Sequence, residues 1–244
     1  EGTNEIHTAN RNSLQLFDML HSMRQFDDLT YVHSVNVALI ASILGQWLKF
    51  SEKDIRILTI SGLLHDIGKI MIPNEILTKP GKLTVAEYNI MKQHVNFGYE
   101  KVKNQNIDIR ITEACLLHHE KCDGTGYPFG LKSDQIPAVA KIIAIADVYD
   151  AMTSARVYRG ALCPFEVIDT MYKDAFTKFE PEYILPFLKN VASSYINNDV
   201  RLSDGRIGKV VLINENALSL PIVQCEDEFI DLSKTRGLTV SAIL

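Results

Sequence analysis

The stretch "AVAKIIAIADVYDAMTSA", residues 138–155, is apolar on most sides of a helix yet carries Asp147 in its middle. A helix with so little polar face has to be enclosed by other elements. A lone carboxylate inside it is costly to bury unless it is paired or bound to metal. Any fold of this chain must therefore build a core around this helix and bring a partner to Asp147.

The preceding sequence supplies helices for that core. "YVHSVNVALIASILGQWL" places Val32, Val35, Leu39, Ile43 and Trp47 at helical spacing. "SEKDIRILTISGLLHDIGK" opens with Ser51 and Asp54 in a capping-box-like arrangement and is predicted to close near Gly68. "TVAEYNIMKQHVNFGYEKV" starts on a matching box from Thr84 and Glu87. "IRITEACLLHHE" reads as a shorter helix, and two more are predicted around 165–177 and 182–197. "IMIPNEILTKPGKL" and "DGTGYPFGLKSDQIP" are loops dense in Pro and Gly. Beyond residue 197, "RIGKVVLIN", "LPIVQC" and "EFIDL" are short β-rich runs, with Asp204-Gly205 as a hairpin signal. The expected architecture is mostly α, a helical bundle with a small C-terminal β-meander. Residues 1–25 form a helical extension or linker, 26–197 the main domain and 198–244 a small β-rich subdomain.

Composition narrows the function classes. Hydrophobic residues make up 46% and charged residues 23% of the 244, as in an ordinary globular protein. The net charge of -5, from 25 basic and 30 acidic residues, argues against a general DNA or RNA binder. No uninterrupted run of about 18 apolar residues predicts a membrane-spanning segment, and the N-terminus has no secretory signal. Four cysteines with no CxxC pair read as reduced thiols of a cytoplasmic protein. The first residue is Glu rather than Met, which points to a domain cut from a longer chain with any sensor upstream of it.

Five of the seven histidines, His33, His65, His94, His118 and His119, sit on or at the ends of predicted helices. His65 is followed by Asp66 where its helix ends, so both side chains can enter one cleft. One histidine on an apolar face is more often a hydrogen-bonded core residue than a ligand. Five of them with two buried-type aspartates make a nitrogen and oxygen metal site. Such a site suits iron, manganese, nickel, cobalt or zinc rather than a thiolate knuckle.

"YVHSVNVALIA", "GLLHDIGKIMIP", "QHVNFGYE", "HHEKCDGTGYP", "IPAVAKIIAIADVYDAMTSARVYR" and "KFEPEYILPFL" resemble the HD-GYP family, a branch of the HD-domain metal-dependent phosphohydrolases. The resemblance covers about residues 30–190. "HDIGK" alone marks the wider superfamily, while the HHExxDGxGYP loop followed by "ADVYDAMTSAR" is specific to the branch. By that resemblance, His33, His65, Asp66 and Asp147 hold one divalent ion, and Asp66 bridges to a second held by His94, His118 and His119. Iron or manganese is the expected metal, with nickel, cobalt or zinc as alternatives. Three-metal members carry a Glu four residues before the first histidine. Leu29 stands there, with Asp27 and Asp28 out of register, so two metals are expected.

The same resemblance implies hydrolysis of cyclic di-GMP to pGpG and, in many members, on to GMP. Two ions about 3.5–4 Å apart would lower the pKa of a bridging water, and the hydroxide would attack the phosphorus in line. Asp66 and Lys69 are the expected catalytic residues, with Lys69 contacting the scissile phosphate or the attacking water. Arg156 and Arg159 match basic residues that clasp phosphate, unless they are solvated surface charges. Asp150 either orients a ligand or is a helix-surface charge. Gly124 and Gly126 are expected to adopt angles closed to other residues, and Pro128 to fix the loop exit. Gly126, Tyr127 and Pro128 would border the substrate, with the Tyr127 ring as an anchor or a guanine platform, while Glu120 and Asp123 bind loop amides. Diguanylate cyclase domains and a second copy of the chain are the protein partners that the resemblance allows. The competing readings are another cyclic dinucleotide or nucleotide as substrate, and a low-activity module that binds protein partners.

Overall fold

The computed structural model describes residues 18–154 and 162–244. Arg156, Arg159 and most of the N-terminal extension lie outside the described residues. The chain separates into two compact units, one ending at Asp150 and the other beginning at Ala151. The sequence reading divides the chain at 197/198 instead. The difference arises because the two helices before the strands belong to the same compact unit as the sheet.

In the first unit, residues 18–26 are helical. Helix α1 follows as Asp28–Trp47, started by Asp27, whose carboxylate accepts from the Leu29 and Thr30 amides. Helix α2, Glu52–Leu64, starts on Ser51, whose hydroxyl accepts from the Asp54 amide. The buried residues of α1 are Thr30, Ser34, Val37, Ala38, Ala41, Leu44 and Gly45, mostly small. Their size lets α2 approach closely: a Cβ on Gly62 would lie 2.5 Å from the Ala38 Cα. Val32, Leu39, Ile43 and Trp47, although helically spaced, are exposed. That outward stripe is why α1 is long and apolar enough to cross a membrane by length and composition alone, with mean hydropathy 1.2. The sequence still has no uninterrupted apolar run of that length, and composition alone does not make α1 a membrane span. Helix α1 packs its small-residue face on α2, as a core helix does.

Helix α2 ends at Leu64 rather than near Gly68, and a 3-10 turn, Ile67–Met71, takes over. Gly68 is not a helix stop. A Cβ there would meet the His94 carbonyl oxygen at 2.0 Å and the Gly98 nitrogen at 2.4 Å, so Gly68 lets the turn press on a neighbouring helix backbone. The loop beyond contains the short helix α3, Asn74–Leu77. The helix predicted over 84–102 is two helices, α4 (Val85–Met91) and α5 (His94–Val102). The Thr84–Glu87 capping box is present. At the interruption, the His94 Nδ1–H donates to the Met91 carbonyl at 2.8 Å, which turns its ring inward. Helix α6, Ile109–Leu117, is capped by Asp108, and α7, Ala138–Thr153, buries Val139, Ala140, Ile142, Ile143, Ile145, Ala146, Asp147 and Asp150.

The second unit holds α8 (Pro164–Asp174) and α9 (Pro181–Ser194), each with proline in its first turn, where a missing N–H costs nothing. Its antiparallel sheet comprises β1 (Asp199–Leu202), β2 (Ile207–Leu212), β3 (Ile222–Cys225), β4 (Glu228–Asp231) and β5 (Val240–Ile243). The order is β4-β3-β2-β1-β5. Strands β1 to β4 form the expected meander, with Gly205 at φ +93° in the β1–β2 turn. Strand β5 departs from it by returning to pair with β1, and α8 packs against β5.

Two stability measurements check this packing. Gly62→Ala should lose about 1–3 kcal/mol in chemical denaturation, because the added methyl meets helix backbone rather than a movable side chain. Asp108 accepts from the Arg110 amide and is gripped by its guanidinium at 2.9 Å on both carboxylate oxygens, and Arg110 also reaches Asp54 at 2.7 Å. These Arg110 hydrogen bonds hold the Asp108 carboxyl down at about 2. A depressed folded value stabilises above the ordinary carboxyl value of about 3.9 and is lost as pH falls through about 2. Asp108→Ala should therefore lose about 1 kcal/mol near neutrality, the usual worth of an N-cap. Denaturation at pH 6 and pH 3 should show that gap narrowing in acid.

Candidate metal centre

Seven side chains from five segments of the first unit converge: His33 from α1, His65 and Asp66 from the end of α2, His94 from α5, His118 and His119 from the end of α6, and Asp147 from α7. Three groups of ligand atoms each lie within 4.8 Å of one another: Asp66, His94, His118 and His119; His33, His65 and Asp66; and His65, His118 and Asp147. Asp66 belongs to two of them, and its oxygens divide between them. Oδ1 lies 3.3 Å from His94 Nε2 and 3.9 Å from His118 Nε2. Oδ2 lies 3.3 Å from His65 Nε2 and 3.7 Å from His33 Nε2.

Backbone carbonyls set the direction of three rings. A carbonyl only accepts, so each Nδ1 facing one carries the proton. His65 Nδ1–H donates to the Gly62 oxygen at 2.7 Å, His94 to Met91 at 2.8 Å and His118 to Ala114 at 3.0 Å. Each Nε2 is left as a lone-pair donor aimed at Asp66, the arrangement that orients imidazoles on metals. His118 is the cap residue after α6, where the helix ends, and its ring lies 4.1 Å from that of His119. The adjacent pair therefore serves one group, as a pair within a helix would do less easily.

The electrostatics fit a cation. His65 Nε2 and Asp66 Oδ1 are buried atoms with no hydrogen-bond partner, and Asp66 is 1% exposed. Burial opposes ionisation of Asp66, but the Lys69 ammonium above all holds its carboxyl well below the usual range. Burial pushes His94 down, His118 far down and His119 to about 3, so all three rings are neutral at physiological pH. Burial also acts on His33, but there the carboxylates prevail. Its Nε2–H donates to Asp147 at 2.9 Å and its Nδ1–H to Asp150 at 2.6 Å, and its pKa rises to about 9. The same pairing keeps Asp147 ionised despite its burial.

The remaining expected residues fall around this cluster. Lys69 Nζ lies 2.5 Å from Asp66 Oδ2. Asp150 faces His33, not solvent, and is only 4% exposed. Its other oxygen accepts from Asn36 Nδ2 at 2.9 Å. The sequence reading missed Asn36, although its position three residues after His33 on α1 puts it on the same face.

The loop after the histidine pair is organised from below. Glu120 accepts from the amides of Phe129, Gly130 and Leu131 at 2.7, 3.1 and 2.9 Å, and Asp123 from that of Thr125 at 2.9 Å. Gly124 has the expected positive φ, +82°. Gly126 does not need one. A Cβ there would lie 2.4 Å from the Glu120 Cα and 2.6 Å from the His119 oxygen, so its role is close approach. The Tyr127 amide donates to the His119 carbonyl at 3.1 Å, and its ring stacks on His119 at 4.7 Å. The Tyr127–Pro128 bond is cis. Glu120→Ala should lose at least about 2 kcal/mol in denaturant melts, since three amides surrender one charged acceptor.

Known proteins resemble this chain in sequence and fold. A family model described as HD domain matches residues 9–183. The cyclic di-GMP phosphodiesterase PA4108 of Pseudomonas aeruginosa is 37% identical over 203 residues, covering 83% of this chain and 49% of that protein. The 3'3'-cGAMP-specific phosphodiesterase 1 of Vibrio cholerae is 40% identical over 145 residues, 58% of this chain and 33% of that protein. The chain spans about half the length of the first two curated relatives it matches. The crystal structure of the HD domain of the L. monocytogenes phosphodiesterase PgpH with cyclic di-AMP aligns with a TM-score of 0.56 at 18% identity, covering 72% of this chain and 95% of that one, a likeness of fold. The chain belongs to the HD-domain family, of which the HD-GYP proteins, whose motifs it carries, are a branch.

Proposed function

We propose that this chain is a metal-dependent phosphodiesterase that hydrolyses cyclic di-GMP to pGpG and onward to GMP. The observation that supports it best is the buried Asp66, with one oxygen turned to His94 and His118 and the other to His65 and His33. Two divalent ions, iron or manganese first, fit the two groups that share Asp66. His33 and His65, with Asp147 beside His33, serve one side, and His94, His118 and His119 the other. Leu29, at 62% exposure, offers nothing for a third. When bound, two such ions supply Lewis acidity and a water made acidic enough to act at neutral pH.

The protein's own groups provide the rest. Asp150 orients His33 through Nδ1–H and Asn36 holds Asp150, while the proton that His33 Nε2 shares with Asp147 would be replaced by a bound ion. Lys69, beside Asp66, is placed to neutralise charge on the phosphate undergoing hydrolysis. The loop from Glu120 to Leu131, fixed by its amide hydrogen bonds, forms a wall against which the substrate is oriented. The neutral Tyr127 phenol, kept protonated by burial, anchors that wall to His119.

The test is anaerobic purification with metal analysis, then assays of wild type and Asp66→Ala on cyclic di-GMP and on the hybrid cyclic GMP–AMP. About two metals per chain are expected. Preferential cleavage of cyclic di-GMP should fall to background in the variant. Preference for the hybrid dinucleotide would move the substrate, and a metal-replete protein that cleaves neither would favour a protein-binding module.

A further inference from the structure

Lys92 lies in the turn between α4 and α5, two residues before His94. Its ammonium is 5.3 Å from the centroid of the Tyr88 ring and 5.9 Å from that of Tyr127. Both distances are within cation–π range. Tyr127 in turn stacks on His119, a member of the Asp66 group. Lys92 therefore stands one ring away from the metal centre.

Its surroundings differ from those of three ion-paired lysines in this unit. Lys69, Lys79 and Lys103 each reach a carboxylate, Asp66, Glu87 and Glu100, at 2.5, 2.6 and 2.6 Å. Among the described residues, no carboxylate lies within ion-pair distance of Lys92, although the side chain is partly buried. Two aromatic rings flank this partly buried ammonium at the edge of the centre, and neither takes a carboxylate's place as a hydrogen-bond acceptor. The ring of Tyr88 is itself 48% exposed and open to stacking.

We propose that Lys92 binds the phosphate of the cyclic dinucleotide that is not being cleaved, with Tyr88 as the aromatic surface beside it. This inference rests on the proposed phosphodiesterase activity. A cyclic dinucleotide carries two phosphodiesters in one ring, and the Asp66 groups engage only one. The other brings a second negative charge that a chain of net charge -5 has to meet locally. Lys92 meets it with an ammonium whose position two tyrosine rings already restrict, so little freedom is lost on binding. The role is specificity: a substrate with a single phosphate gains nothing from Lys92.

The test compares wild type, Lys92→Met and Lys92→Arg on cyclic di-GMP and on bis(p-nitrophenyl) phosphate, which has only the scissile diester. Metal content and melting temperature are checked for each. Lys92→Met should raise KM for cyclic di-GMP about tenfold, the worth of one charge-assisted hydrogen bond. It should leave kcat nearly unchanged and bis(p-nitrophenyl) phosphate turnover intact. Lys92→Arg should recover most of the KM. An unchanged KM in Lys92→Met, equal loss on both substrates, or equal loss in both variants would overturn the proposal. If wild type cleaves bis(p-nitrophenyl) phosphate but not cyclic di-GMP, the substrate reading itself fails, whatever the variants do.

Discussion

The first unit is organised around one ionised carboxylate kept almost entirely from water. Burying Asp66 uncompensated would be prohibitive. The charge is tolerated because Lys69 and four imidazoles from separate segments surround it. Moving any of those segments by an ångström would leave a charge without its partners. The demands of this carboxylate account for the short 3-10 turn after α2 and for the way Gly68 lets that turn press on α5.

Close approach is the second requirement, and small residues supply it. Helices α1 and α2 meet through Ala38 and Gly62, which brings His33 within 3.7 Å of Asp66. Larger side chains at that crossing would meet the backbone of α1 and push the two helices apart. The apolar bulk of α1, Val32, Leu39, Ile43 and Trp47, accordingly faces outward.

The loop beyond the histidine pair obeys the same economy of space. Gly126 lets the loop lie on the His119–Lys121 backbone, and Glu120 gathers three successive amides from beneath. The result is a wall whose tyrosine touches a candidate ligand on one side and a lysine on another. A loop so tied to the histidines holds one edge of the candidate metal centre in place.

Local sequence specified the helices, the Thr84–Glu87 box, the meander turn at Gly205 and the chemical types of the site. These depend on periodicity, capping and side-chain donors within a few residues of one another. The candidate ligands were legible because five histidines and a carboxylate in an apolar helix have few uses apart from cations. Which face of α1 turns inward was not legible, because both faces are apolar and only contact with α2 selects the small one. Nor was the break before α5, which follows from the His94 ring taking the Met91 carbonyl. Asn36, Lys92 and the return of β5 to β1 were hidden for the same reason: each depends on a partner distant in sequence, and only the folded chain brings that partner within reach.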